Sequence, residues 1–384
     1  MFDFMEFFAG GGMVRAGLGS NWNCVFANDF DFKKSVTYKK NWGDKGEMFV
    51  GDVRNIDSKS LPNASLAWAS FPCQDLSLAG GGAGLKGERS GTFYPFWDIM
   101  TDLSSENRAP KVIAIENVVG TLTSHSGQDF SSICEAFVSL NFKFGVIVID
   151  ASLFVPQSRP RMFILGVRAD VPIDQSLLAP EPMFPFHTSA VRRACEKLSR
   201  KSKQNLVWWN IPTPEIRKVT FSDLIEDYPE SVQWHSPEET SSLISMMSPV
   251  NKAKVEAAKR AGRKMVGTIY KRTRLEKGNR VQRAEVRFDE IAGCLRTPTG
   301  GSSRQSIILV DGPKIKSRLI SSRETARLMG LPDTYRIPDR YNEAYHLAGD
   351  GVAVPVVRYL AEHVFEPVIS GRLPNENKIK ENAA

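Results

Sequence analysis

The first 170 or so residues alternate short, almost uninterrupted apolar stretches with segments of helical spacing, a rhythm that few folds accommodate. Residues 4–8, 24–27, 66–70, 112–116, 144–149 and 162–167 read as strands. Strands with so little polar alternation are covered on both faces, as in a parallel sheet flanked by helices. Helical stretches at 33–40 and 131–140 supply crossovers. The pattern predicts an α/β, doubly wound, Rossmann-like sheet. The rhythm stops at a run of prolines, Pro172, Pro180, Pro182 and Pro185, and the chain to about 312 is polar, basic and irregular. Helical character returns in SSRETARLMGLP (321–332) and near 354–365. The expected division is an α/β domain over 1–185, completed by a C-terminal helical return over about 343–370. A smaller, irregular domain with its hinge takes 186–342, and the polar tail 371–384 is expected to fray.

The charge is unevenly distributed. The 384 residues carry a net +7, yet 251–287 alone hold 13 Lys or Arg against 3 Glu, which leaves the rest slightly acidic. A basic stretch on a balanced scaffold points to a polyanionic partner. Five cysteines, an odd number with no CxxC spacing, argue against a disulfide framework and a metal site, and for a reducing, cytoplasmic setting. The N-terminus lacks a basic n-region, so no secretory leader is expected. No apolar run is long enough to span a bilayer, and no membrane association is expected.

Chemistry-bearing residues gather where strands end. The turn FFAGGGMVRAGLG (7–19) follows the first strand, and its glycines let a cofactor approach the backbone. Alone it fits a nicotinamide, a flavin or S-adenosylmethionine, although no G-x-G-x-x-G is present. Asp29 and Asp52 close the next two strands, where carboxylates can accept ribose hydroxyls or an adenine amino group, and Phe30 can lie against an adenine face. Together they favour an adenosyl ligand. Cys73 follows the fourth strand in SFPCQDLSLAGGGAGLKGERSG (70–91), between a proline and a glycine-rich run, a setting for a reactive thiolate. Glu116 closes the apolar fifth strand in IENV, a position suited to acid–base work. In QSRPR (157–161), Arg159 and Arg161 would point to the same side of an extended backbone.

These pieces, taken in order, resemble the DNA cytosine-5 methyltransferase family of bacterial restriction–modification type. The resemblance rests on FAGGGMVRAGL, FPCQDLSLAG, ENV, QSRPR, RETARLMGLPDTY and LAGDGVAVPVVRYLAEH. The unmatched segment between them lies where that family keeps its variable target recognition domain. The resemblance implies that the Cys73 thiolate attacks C6 of a cytosine flipped out of duplex DNA, and that Glu116 holds or protonates N3. It implies that Arg161, with Arg159, binds the base O2 or orients the thiolate. The glycine-rich loop 74–92 would close over the duplex, with Gln74, Ser77 and Arg89 toward DNA. S-adenosylmethionine would lie against Phe8, Gly10, Gly12, Asp29, Phe30, Asp52, Val53, Pro72 and Val352, leaving as S-adenosylhomocysteine. Two positions depart from the family pattern: Met13 follows Gly12 where a second glycine is usual, and Asp350 stands where an asparagine is usual, as a candidate for the cofactor amine. Lys271 and Arg274 are expected on phosphates, and Arg304 and Gln305, in RTPTGGSSRQS (296–306), on base edges. The partners so implied are double-stranded DNA and a cognate restriction endonuclease, with the chain itself a monomer. RNA cytosine-5 methylation is the alternative activity, which the long basic segment disfavours. A catalytically silent DNA-binding regulator is disfavoured by the intact Cys73, Glu116 and Arg161.

Overall fold

A computed structural model of the chain describes residues 1–72, 85, 90–276, 278–297 and 303–373. It divides into two units, Met1–Asp150 with Pro160–Pro214 and Val356–Ala384, and Ala151–Arg159 with Glu215–Pro355.

The first unit is built on seven strands, β1 (Phe2–Phe7), β2 (Trp22–Asp29), β3 (Met48–Val50), β4 (Leu66–Ala69), β5 (Val112–Val118), β6 (Phe142–Asp150) and β7 (Pro160–Arg168). Their order is β3-β2-β1-β4-β5-β7-β6. Strands β1 to β5 pair in parallel, as their two-sided burial predicts. Strand β7 runs antiparallel to both its neighbours, because it follows β6 after a short connection with no crossover helix. Helices α1 (Met13–Leu18), α2 (Phe32–Trp42), α3 (Phe93–Ser105) and α4 (Gln128–Ser139) connect the strands. The core is aromatic: Phe96 and Trp97 of α3 and Phe137 of α4 meet Phe7, Phe142 and Phe144 from the sheet. Gly166 of β7 exists for this packing, since a Cβ there would collide with the Phe137 ring. Strand β1 lies between β2 and β4, so chain order reverses there. The loops after β1 and β4 flank the crevice where open α/β sheets bind ligands.

The boundary expected at 185/186 falls inside this unit. The segment beyond the prolines packs on β6 rather than leaving it: helix Ser189–Glu196 buries Val191, Ala194 and Cys195 in the core. Val207 N–H donates to Phe144 O at 2.8 Å. Two-residue strands β8 (Leu178–Ala179) and β9 (Trp208–Trp209) complete the segment. The C-terminal return begins at 356 rather than about 343. Arg358 donates to Leu18 O, the Trp22 indole N–H donates to Glu366 at 2.8 Å, and Phe365 meets Trp68 edge-on.

The second unit is more regular than its composition predicts. Strands β10 (Met265–Glu276), β11 (Asn279–Arg287), β12 (Ser306–Asp311) and β13 (Lys314–Leu319) form an antiparallel sheet in the order β11-β10-β12-β13. Leu243 and Val255, from helices Pro237–Ser245 and Pro249–Arg260, share a small core with Ile269, Ala284, Val286, Ile308 and Val310. Arg318 and Glu324 form a fully buried ion pair at 2.6 Å, and Glu324 also closes a capping box with Ser321. Hydrogen bonds offset much of the cost of burying such a pair: Ser321 N–H and Glu226 N–H donate to Glu324, and Arg318 donates to Glu226 O and Leu319 O, while its Nε is left without a partner among the described residues. Among the described residues no helix is long and apolar enough to cross a membrane.

Candidate active site

The turn after β1 is held from behind. Phe8, Gly10 and Gly12 all have positive φ, at 60°, 57° and 79°. Gly10 N–H donates to Asp29 Oδ2 at 2.7 Å, and Asp29 Oδ1 accepts from Asp31 N–H at 2.8 Å. Asp29 therefore ties the first turn to the end of β2, and burial raises its pKa above the usual carboxylate range. The Trp42 indole N–H reaches Gly11 O at 3.2 Å, and a Cβ on Gly12 would collide with Trp42 and Tyr38. At Gly10 a Cβ would meet nothing, so the backbone there is open to a ligand. Phe30 is 77 % exposed, an aromatic face left open beside the turn. Asp52 caps the short turn Val53–Asn55 and pairs with Arg54 at 2.9 Å, while Val53 is buried. Met13 is buried as the first residue of α1.

Under this turn lies a buried polar cluster that the sequence reading did not single out. Arg15 donates to Glu47 at 2.7 Å and to Tyr38 Oη at 2.8 Å, and Cys24 Sγ lies 3.3 Å from the same hydroxyl. Glu6 of β1 faces the backbone N–H groups of Val14 and Arg15, and desolvation pushes its pKa up to about 8 against the pull of Arg15. Between the unfolded value of 4.5 and about 8, the folded chain holds a proton that the unfolded chain releases. Glu6 thus makes stability fall as pH rises through that window. Thermal midpoints of the wild type and Glu6→Gln, measured from pH 5 to 9, should diverge in favour of the variant by several degrees up to about pH 8 and then run parallel. A constant difference across the window would refute the assignment.

At the next strand ends, Phe71 is buried after β4 and Pro72 half-buried. Asn117 Nδ2 donates to Phe71 O at 3.1 Å, and Asn117 Oδ1 accepts from Val118 N–H at 2.8 Å and from Thr121 Oγ1 at 3.3 Å. Asn117 is 2 % exposed and joins the end of β5 to the segment leading into Cys73. It was missed as a functional residue; its signal was a lone amide inside an apolar strand. Glu116, 6 % exposed, meets Arg161 with Oε1 to Nε at 3.1 Å. The β5–β7 register puts Arg161 opposite Val118, so Glu116 is its diagonal neighbour on the same face. The residues Cys73, Gln74, Ser77 and Arg89 lie outside the described residues. Within that loop, Leu85 is described: it is buried, and its N–H donates to Asp129 at 3.2 Å.

The other expected residues differ in their surroundings. Arg159 and Arg161 are not equivalent in their described bonds. Strand β7 begins at Pro160, so the alternation of extended backbone does not reach back to residue 159. Arg159 belongs to the second unit and is 2 % exposed. Its guanidinium donates to Leu295 O at 3.0 Å, Gly349 O at 2.8 Å and Gly351 O at 2.6 Å. Those carbonyls bracket Asp350, which accepts from Thr297 Oγ1, and Val352 is buried just beyond. Gln305 does not face outward either: it is 3 % exposed, with Nε2 on Gly293 O at 2.8 Å, because β12 begins beside it. Arg304 is half-buried, donates to Asn342 at 2.6 Å and lies over the Tyr341 ring. Lys271 N–H bonds Ser303 Oγ at 3.0 Å, and the exposed Arg274 pairs with Glu285. Among the described residues no group of His, Cys, Asp or Glu is arranged to hold a metal ion.

The sheet order, the glycine turn and the strand-end carboxylates define a Rossmann-like methyltransferase fold. Solved structures agree. The chain is similar to Entamoeba histolytica methyltransferase EhMeth, with a TM-score of 0.61 and 17 % identity over 95 % of this chain and 98 % of that one. It is also similar to S. pombe Dnmt2 methyltransferase, with a TM-score of 0.55 and 16 % identity over 96 % of this chain and 99 % of that one. The C-5 cytosine-specific DNA methylase family matches residues 2–366, and the chain belongs to that family. Its relatives include type II methyltransferase M.HhaI of Haemophilus parahaemolyticus, 24 % identical over 94 % of this chain and 93 % of that protein. Type II methyltransferase M.NlaX of Neisseria lactamica is 26 % identical over 95 % of this chain and 96 % of that protein. The protein is a DNA cytosine-5 methyltransferase.

Proposed function

We propose that this enzyme methylates C5 of a cytosine flipped out of a specific duplex DNA sequence, using S-adenosylmethionine and a transient covalent bond from Cys73 to C6. The observation that carries this reading is the buried Glu116–Arg161 pair on the strand next to β4, whose chain runs on through Pro72 into Cys73. The open backbone at Gly10, the exposed Phe30 ring and the carboxylates of Asp29 and Asp52 fit an adenosyl ligand. Bound there, S-adenosylmethionine would supply an electrophilic methyl group and leave as S-adenosylhomocysteine.

The chain's own groups do the rest. A cytosine C5 is a poor nucleophile. When the Cys73 thiolate adds to C6, the ring electrons shift toward N3, and a proton delivered there by Glu116 keeps the adduct neutral. C5 then has enamine character and can take the methyl group. Loss of the C5 proton to a base re-forms the 5,6 double bond and expels Cys73 as the thiolate, and N3 returns its proton to Glu116. Arg161 fixes the Glu116 carboxyl, so that its proton is delivered to one place. Gln74, Ser77 and Arg89 are assigned to DNA, and the basic second unit to target binding. A cognate restriction endonuclease as functional partner is supported by the type II names of the relatives, and a monomer in the cytoplasm is the assembly proposed.

Duplex DNA with 5-fluorocytosine at the target tests the mechanism, because fluorine cannot leave as a cation and the adduct persists. A denaturation-resistant protein–DNA species that requires S-adenosylmethionine is expected. Label transferred to transfer RNA but not to duplex DNA would move the substrate to RNA. No transfer to either would sink the enzymatic reading.

A further inference from the structure

Among its described residues, the expected recognition loop turns Arg304 and Gln305 inward, and the base reading expected of those two side chains needs another element. The strand register supplies one. Strand β10 pairs with β12 only over Met265–Ile269, but with β11 over Thr268–Glu276. Among the described residues, the two strands run on beyond Lys271, where Ser303 still bonds the backbone, as a two-stranded ribbon past the edge of their own core. A ribbon of two strands about 5 Å apart matches a DNA major groove about 12 Å wide.

Its two faces differ. Opposite residues in an antiparallel pair share a face. One face carries Tyr270, Arg272, Arg274 and Glu276 opposite Glu285, Arg283, Val281 and Asn279. There Arg274 pairs with Glu285, Arg283 with Glu276, and Arg272 lies over the Tyr270 ring. The other face is rooted in the core by Ile269, Ala284 and Val286, then presents Lys271, Thr273 and Leu275 with Gln282 and Arg280. The register places no acidic residue on this second face. Thr273 stands directly opposite Gln282, and Leu275, 74 % exposed, opposite Arg280. An amide, a hydroxyl, a guanidinium and an apolar tip are the groups that read adenine, either base, guanine and the thymine methyl respectively.

Resting on the DNA-methylation reading above, we propose that this ribbon is the sequence-reading element: Thr273, Leu275, Arg280 and Gln282 read base edges in the major groove, while Lys271, at the root of the same face, meets a phosphate.

The test is bisulfite sequencing of plasmid DNA methylated by wild type and by Gln282→Ala, Thr273→Val and Arg280→Ala, with affinity against salt measured in parallel. The reading-face variants should methylate cytosines in contexts the wild type leaves unmarked, relaxed at one or two positions, with cognate affinity down roughly 5- to 100-fold. Lys271→Ala should keep the wild-type context, weaken all duplexes alike and lower the salt slope by about one. Reading-face variants that keep the wild-type context while binding every duplex more weakly would overturn the ribbon's reading role and leave methylation itself intact. A wild type that marks no cytosine in DNA would overturn the function, and the ribbon's role with it.

Discussion

Cys73→Ala is expected to abolish methyl transfer, by roughly four orders of magnitude or more, the scale on which deleting a covalent nucleophile acts. The argument is chemical. Without a thiolate on C6 nothing makes C5 electron-rich, and no other group in the proposed mechanism can form that bond. The cofactor contacts assigned to Gly10, Asp29, Phe30 and Asp52 lie on other strand ends, so titration calorimetry with S-adenosylmethionine should change little. Cys73→Ser should fail almost as badly, because a hydroxyl is far less ionised than a thiol near neutral pH. The checks are radiolabelled methyl incorporation into duplex DNA and the 5-fluorocytosine adduct. Residual turnover within tenfold of wild type in Cys73→Ala would remove the covalent mechanism.

Much of this site was legible before any coordinates, for a physical reason. Strands covered on both faces show as unbroken apolar runs, so Asp29 and the glycine turn could be placed at strand ends by counting, and Glu116 two residues short of one. What depended on local register was not legible. Arg159 and Arg161 look equivalent two residues apart, but a strand that starts between them sends one guanidinium to Glu116 and the other to backbone carbonyls. Gln305 looks like a loop residue until β12 takes the backbone beside it. The basic stretch read as irregular because its strands run past their core, where apolar alternation has nothing to report. Arg274 meets Glu285 only through a hairpin pairing invisible in a linear count of charges. Asn117 went unnoticed because its worth lies in three buried hydrogen bonds, and its partners were unknown.

Glu116 and Arg161 should behave as one device. Glu116→Ala removes the group that protonates N3, and a loss of about 10²–10⁴ in the methylation rate is expected, the range for general acid–base assistance. Arg161→Ala leaves Glu116 in place but strips a nearly buried carboxyl of the cation 3.1 Å away, so its position is no longer set. A loss of similar order follows. If Arg161 acts through Glu116, the double variant will be little worse than the poorer single variant, because groups working as a unit are not additive. Single-turnover rates of the four proteins give the coupling directly, and rates that multiply through would show two independent roles. Arg159→Ala supplies the contrast. Its bonds are to Leu295, Gly349 and Gly351, so its loss should appear as a lower unfolding midpoint of the second unit.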